Sequence, residues 1–210
     1  MVHEHSPDRN KESILSSLKK FMDPSGGSVL EISSGKGQHI SYFAEHFPNI
    51  EFQPTEVNRR LIEFIKACTS NFSNVLPAKF LDVSSDPSTW LGGQLMNKQY
   101  DYILNINMLH VSHYRCIEGL FRGSCCALKP KGKIFTYGPY TDNYKLTPER
   151  KFDYDSNLKM RNANWGLRDI THQLIPNAFM YGFTLTENIE TYNPDETPSD
   201  NSFLVWSKNI

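Results

Sequence analysis

Three acids close three apolar runs in the sequence: Glu31 within "VLEISSGKGQH", Glu56 at the end of "IEFQPTE" and Asp82 within "VLPAKFLDV". After the first run comes a Ser/Gly bend, where Gly35 and Gly37 lack a β-carbon and permit both a tight turn and close backbone contact with a ligand. A bend of this kind at the end of a buried strand suits a nucleotide-like molecule. Glu56 follows Gly35 by 21 residues, where a carboxylate can accept hydrogen bonds from both hydroxyls of a ribose. Asp82 is placed to reach a base or its amino group.

The same residues discriminate between ligands. A dinucleotide loop of GxGxxG type starting at Gly35 needs a third glycine where Ile40 stands, so the close helix–strand packing of that loop is not encoded. Glu31, inside the first strand, suits a cation better than a pyrophosphate. S-adenosylmethionine carries an ammonium, a sulfonium and a ribose but no phosphate, and the acid-flanked loop favours it over NAD. Glycines and acids at strand ends also occur in α/β proteins without such chemistry, so the argument rests on the set.

The elements that must position these groups alternate. Ile14, Leu15, Leu18 and Phe21 recur at helical spacing and predict a helix from Asn10 to the "DPSGG" break. "SVLEIS", "IEFQPTE", "VLPAKFLDV", "YDYILNI" and "KIFTYG" read as five strands, with Pro77 near the start or edge of the third. Helices are predicted over "GQHISYFAEHF", over "RRLIEFIKACTSNF" with Leu61, Ile62, Ile65 and Cys68 on one face, and from Tyr114 to Leu128; a weaker one spans Pro87 to Leu95. This alternation predicts a parallel sheet covered on both faces. "FTLTENIET" and "NSFLVWSK" then alternate without an intervening helix and predict a terminal antiparallel hairpin, preceded by a helix from about Asp169 to Asn177. The segment from about 138 to 168 is a long aromatic and charged insertion, and a loop of that length in a compact domain is usually functional.

Composition sets outer bounds. A chain of 210 residues with 39% hydrophobic content fits one domain over residues 1–210 and has material for a core without staples. Lys and Arg number 22 against 23 Asp and Glu, so the basic footprint of a duplex nucleic-acid binder is absent. Cys68, Cys116, Cys125 and Cys126 form no CxxC pair and are expected to be reduced packing residues. The polar start "MVHEHSPDRNKES" and the lack of a long apolar run predict an intracellular protein, cytoplasmic or nuclear, with no membrane contact. The "HEH" in that start is expected to be a solvated tail.

"VLEISSGKGQH", "FQPTE", "NINMLHVS", "EGLF", "YGPY" and "WGLRD", in this order, resemble the methyltransferase-like 26 family, one of the class I S-adenosylmethionine-dependent methyltransferases. The resemblance runs from "DRNKESI" to "NSFLVWSK". It implies an α/β, Rossmann-like sheet of seven strands in the order 3-2-1-4-5-7-6 with the last antiparallel. It further implies that Glu31, Ser33, Gly35 and Gly37 surround the methionine part of the cofactor, that Glu56 holds the ribose, and that Asp82 and Val83 flank the adenine. Asn105 would line the same cleft, and Arg9 and Asn10, in an arm over about residues 1–12, would close over the cofactor. Ser33 occupies the first glycine position of an ExGxGxG loop, which a serine tolerates where φ is negative.

The acceptor side is expected at the end of the fourth strand and in the insertion. Asn107 could orient a polar acceptor, and His110 is the candidate general base, its ordinary pKa lying near neutrality; a structural hydrogen bond is the competing role for that histidine. His110 and His113 alone are too few ligands for zinc, so no metal is expected. Tyr137, Tyr140 and Trp165 could attract a cationic group through their ring faces, or simply pack a lid. Arg168 could bind an anionic acceptor or pair with Asp169 to fix the lid. The resulting expectation is methyl transfer to an acceptor by in-line displacement; the competing expectation is a scaffold or binding protein that keeps the fold without catalysis.

Overall fold

A computed structural model describes residues 7–95 and 99–209. The "HEH" segment lies outside the described residues. Among these, the strands are β1 (Gly27–Ile32), β2 (Ile50–Glu56), β3 (Lys79–Phe80), β4 (Tyr100–Ile106), β5 (Leu128–Thr141), β6 (Arg168–Asp169), β7 (Phe183–Tyr192) and β8 (Pro198–Lys208). The α-helices are α1 (Pro7–Phe21), α2 (Gln38–His46), α3 (Arg59–Thr69), α4 (Arg115–Ala127), α5 (Glu149–Arg161) and α6 (Ile175–Met180). The sheet runs β3-β2-β1-β4-β5-β8-β7, with the short β6 pairing β5 off that path. Setting β6 aside, this is the expected 3-2-1-4-5-7-6 order. β8, last in the chain, is antiparallel to both β5 and β7.

Alternation along the strands divides the core. On one face, Leu30, Ile32, Ile103, Ile134, Leu204 and Trp206 pack with Ile117, Leu120 and Phe121 of α4. On the other, Val29, Phe52, Leu104, Phe135 and Phe203 pack with Ile14, Leu18 and Phe43 of α1 and α2. Both faces of the central strands are therefore apolar, as burial under helices on either side requires.

Several elements differ from their sequence reading. The third strand shrinks to Lys79–Phe80 plus a bridge from Phe52 to Val75. Pro77 has no N–H to give a ladder, which confines this stretch to the sheet edge. The predicted helix at Pro87 is a 3₁₀ segment interrupted by Leu91 and Gly92 at φ 55° and 69°. The insertion is not a bare loop: β5 runs on to Thr141, α5 follows, and β6 pairs Tyr140 and Thr141. Beyond it, five π-helical residues, Ile170–Leu174, lead into α6. Among the cysteines Cys116 is buried and Cys125 half-buried, whereas Cys68 and Cys126 are exposed, so packing does not account for the last two.

α4 lies against its neighbours through two glycines. A β-carbon on Gly119 would sit 2.1 Å from the Val83 carbonyl oxygen, and one on Gly123 would sit 2.0 Å from the Trp90 ring. Alanine normally gains about 1 kcal/mol over glycine inside a helix, yet overpacking a filled site costs about 1–3 kcal/mol. With backbone as the obstacle, the clash dominates. Gly119→Ala is expected to lower stability by about 1–3 kcal/mol in urea denaturation; a rise in stability would show that α4 can move away.

Candidate functional site

The carboxyl ends of β1, β2 and β4 open into a cleft of about 430 Å³. Its lining includes Glu31, Ser33, Gly35, His39, Glu56, Asp82, Val83 and Asn107. Clefts of this size, at this end of a parallel sheet, hold small molecules.

Glu56 organises the rim. Its two carboxylate oxygens accept hydrogen bonds from Gly35 N and Asn58 N, each at 3.0 Å. The side chain is 5% exposed. It thus ties the loop after β1 to the start of α3, where Asn58 caps the helix by accepting from Arg60 N. Asp82 Oδ1 accepts from both the amide and the hydroxyl of Ser84, which turns the chain at the adjoining wall.

Glu31 is 2% exposed, and its Oε2 has no hydrogen-bond partner among the described residues. Burial pushes its carboxyl up to about 7, against a lowering contribution from Ser34, and nearby Glu56 adds to the rise. Asn107 is similarly unsatisfied: its backbone N–H reaches the Tyr137 carbonyl at 2.8 Å, but its buried Oδ1 has no partner among the described residues. Two buried acceptors without donors, both lining one cleft, mark a place built for a polar guest. Ser33 and Asn107 have φ of 62° and 56°. The negative φ under which serine would be tolerated at position 33 is therefore not adopted. A non-glycine residue held in the left-handed region costs about 1–2 kcal/mol and occurs mostly where surrounding structure enforces it.

The remaining expected residues are placed differently. Gly37, at φ 85°, precedes α2 and faces Ile65 rather than the cleft lining. Asn105 is fully buried beneath the site, donating from Nδ2 to the Ile32 carbonyl at 3.0 Å. His110 is 2% exposed, near the Tyr154 ring, and lines no part of the cleft. A general base must reach the proton it removes, and His110 is not among the groups that line the cleft. Tyr140 is buried in the α4-side core, its hydroxyl held protonated by desolvation. Arg168 is 7% exposed and donates to the carbonyls of Leu109, Ser112 and Asn164. Asp169 instead accepts from Thr141 Oγ1, Tyr144 N and His172 N. The two fix the insertion separately, not as a mutual pair, and Arg168 is committed to the chain itself. Trp165 lies under the Arg161 guanidinium, 5.3 Å from the ring centre.

Arg9, Asn10 and Tyr137 line a second cleft of about 520 Å³ instead, beside α5 and the β7–β8 turn. Two hydrogen bonds join the walls of the clefts: Asn107 N to the Tyr137 carbonyl, and Asn10 Oδ1 to His39 Nε2 at 2.7 Å. Burial lowers His39 to about 4, so at neutral pH a neutral ring donates from Nε2 to that amide oxygen. His39 has no role in the sequence reading; its place in the first turn of α2, directly after the glycine loop, is the signal that could have found it. No group of three or more metal-ligating side chains is present among the described residues, nor is any helix long and apolar enough to cross a membrane.

A family model described as a protein of unknown function, DUF938, matches residues 1–208. Among solved structures, an O-methyltransferase family protein from Burkholderia thailandensis superposes with a TM-score of 0.73 at 11% identity, over 95% of this chain and 56% of its own. Human N-acetylserotonin methyltransferase in complex with SAM gives 0.72 at 15% identity, over 96% and 52% respectively. The chain thus spans about half the length of these two proteins. A chain from a Haloferax volcanii complex containing the Trm112 methyltransferase activator matches over 97% of this chain and 92% of its own, with a TM-score of 0.71 at 11% identity. At such identities the likeness is one of fold: the sheet and its helices superpose on those of these solved structures.

The Glu31 carboxyl sets a pH dependence. Its folded value of about 7 lies above the ordinary 4.5, so between these values the folded state holds more protons than the unfolded chain. Its contribution to stability therefore falls as pH rises through that window. Glu31→Gln is expected to gain about 1–3 kcal/mol relative to wild type between pH 5 and pH 7 in urea denaturation. A constant difference between the two proteins across that range would place an ordinary, solvated carboxylate at position 31.

Proposed function

We propose that this chain, which belongs to the DUF938 family, binds S-adenosylmethionine in the first cleft and transfers its methyl group to an acceptor by in-line displacement. We read residues 1–210 as one class I methyltransferase domain, related to the methyltransferase-like 26 proteins through "NINMLHVS", "YGPY" and "WGLRD". The observation that carries the reading is a pair of buried carboxylates on one cleft: Glu56 at its rim, and Glu31 with an oxygen that nothing among the described residues satisfies.

The residues fit this cofactor. Glu31 would take the ammonium, whose charge compensates a carboxylate that burial otherwise disfavours. Glu56 would accept from the ribose hydroxyls while keeping the loop amide of Gly35. Asp82 and Val83 would flank the adenine. When bound, S-adenosylmethionine supplies a methyl group already activated by positive sulfur. The chain's task is then to align an acceptor and exclude water. Asn107, left-handed and with a free amide oxygen on the cleft, is the group suited to orient that acceptor. In-line transfer to a nucleophile that arrives deprotonated needs no general base, which accommodates the burial of His110.

Thermal-shift titration with S-adenosylhomocysteine, with NAD as control, tests the reading. At about 100 times its dissociation constant the ligand should stabilise the protein by about 2.7 kcal/mol, a melting shift of about 5–10 °C. NAD should give none. Glu56→Ala should weaken S-adenosylhomocysteine binding about 10- to 100-fold through lost charge-assisted hydrogen bonds. It should also cost stability, because Gly35 N and Asn58 N lose their acceptor. Unchanged affinity in this variant would remove the ribose from Glu56.

A further inference from the structure

The second cleft has a charge character the first lacks. Three cationic side chains, Arg9, Arg150 and Lys151, line it with a single carboxylate, Asp200. Asp200 is taken by Arg150, whose Nε donates to its Oδ2. Lys151 is half-buried and spends one donor on the Tyr140 carbonyl, at 2.9 Å. An ammonium has three N–H donors, so two remain. Arg9, exposed on the first turn of α1, makes no ion pair or hydrogen bond among the described residues. The balance is two positive charges in excess, the unpaired ones carried on α1 and α5. Tyr137, Tyr154 and Pro139 give it an apolar wall.

The cleft also adjoins the proposed methyl donor. Its Tyr137 carries the carbonyl that holds the amide of Asn107, and its Asn10 is bonded to His39, both partners lining the first cleft. A molecule in the second cleft is therefore separated from the first by one layer of hydrogen-bonded side chains and backbone. Its volume of about 520 Å³ falls within the range of about 300–1,000 Å³ common for small-molecule sites.

We propose that the second cleft binds a small organic anion, a carboxylate or phosphate with an apolar body, gripped by Arg9 and Lys151, as a site distinct from that of methyl transfer, because the wall between the clefts keeps its occupant out of line with the methyl group. Its anion selectivity does not rest on the methyl-transfer reading of the first cleft. Arg9 thereby belongs to anion recognition and not to cofactor closure. The planar guanidinium can engage an oxyanion with two parallel donors, the lysine adds a point charge, and the tyrosine rings carry the rest of the molecule.

The test is calorimetric titration of the protein, with and without saturating S-adenosylhomocysteine, using benzoate and phenyl phosphate against neutral benzamide. At least one anion is expected to bind about tenfold or more tightly than benzamide. Arg9→Gln and Lys151→Gln should each weaken that anion by about tenfold, while the dissociation constant of S-adenosylhomocysteine stays within about twofold. Benzoate against phenyl phosphate distinguishes the two anionic groups. Equal binding of anions and benzamide, binding of neither anion, or unchanged anion affinity in both variants overturns the proposal, as does a loss of S-adenosylhomocysteine affinity in Arg9→Gln. Failure of S-adenosylhomocysteine to bind the wild-type protein overturns the cofactor reading instead, and the anion selectivity is then read from the unliganded titration.

Discussion

The cleft depends on one carboxylate that sits where a sheet runs out of hydrogen bonds. Parallel strands end with unpaired backbone amides, and the loops leaving them need acceptors from elsewhere. Glu56 supplies one on each side, to Gly35 N and to Asn58 N. The glycine loop and the start of α3 are thereby fixed to the end of β2 by a side chain that also faces the ligand space. The same group shapes the site and meets its occupant, so stability and recognition share a residue. Glu31 states the complementary constraint. A buried oxygen without a donor is costly in an empty site and useful when a cation arrives.

The insertion after β5 is held by the same kind of bond. Arg168 and Asp169, adjacent in sequence, address opposite sides of the backbone. The arginine gathers three carbonyls from the turns after β4 and α5, and the aspartate gathers two amides and a hydroxyl from the strand end and the π-helical turn. A buried guanidinium that gives three hydrogen bonds to main-chain carbonyls is structural, however suggestive its charge. Arg9 and Lys151 line the second cleft without an ion pair among the described residues, and these are the cations that bear on an anion there.

The alternation of apolar runs and helical periods made the covered parallel sheet and the terminal hairpin legible, because both follow from where hydrophobic residues must go; the strand order came only from the family resemblance. The site was legible where spacing alone decides: Gly35 and Glu56, 21 residues apart, do meet. It was illegible where side-chain direction decides. Asn105 and Asn107 are two residues apart, yet the first is sealed beneath β1 by its bond to Ile32 and the second is turned into the cleft by a left-handed backbone. His110 stands in a suggestive motif, but the 3₁₀ turn Leu109–Val111 carries it into the interior. α5 was hidden because most of its residues face solvent; its only buried positions are Asp155 and Leu158, which leave no apolar period to read. Ser33 adopts a conformation that its residue type disfavours, and only backbone geometry reveals that.

The most direct test of the central claim is a crystal structure of the protein with S-adenosylhomocysteine bound. The account predicts the ribose hydroxyls on the Glu56 carboxylate, the amino group facing Glu31, the adenine beside Asp82 and Val83, and the sulfur on the side of the cleft nearest Asn107. A ligand seated elsewhere, or one whose ribose leaves Glu56 untouched, would contradict it.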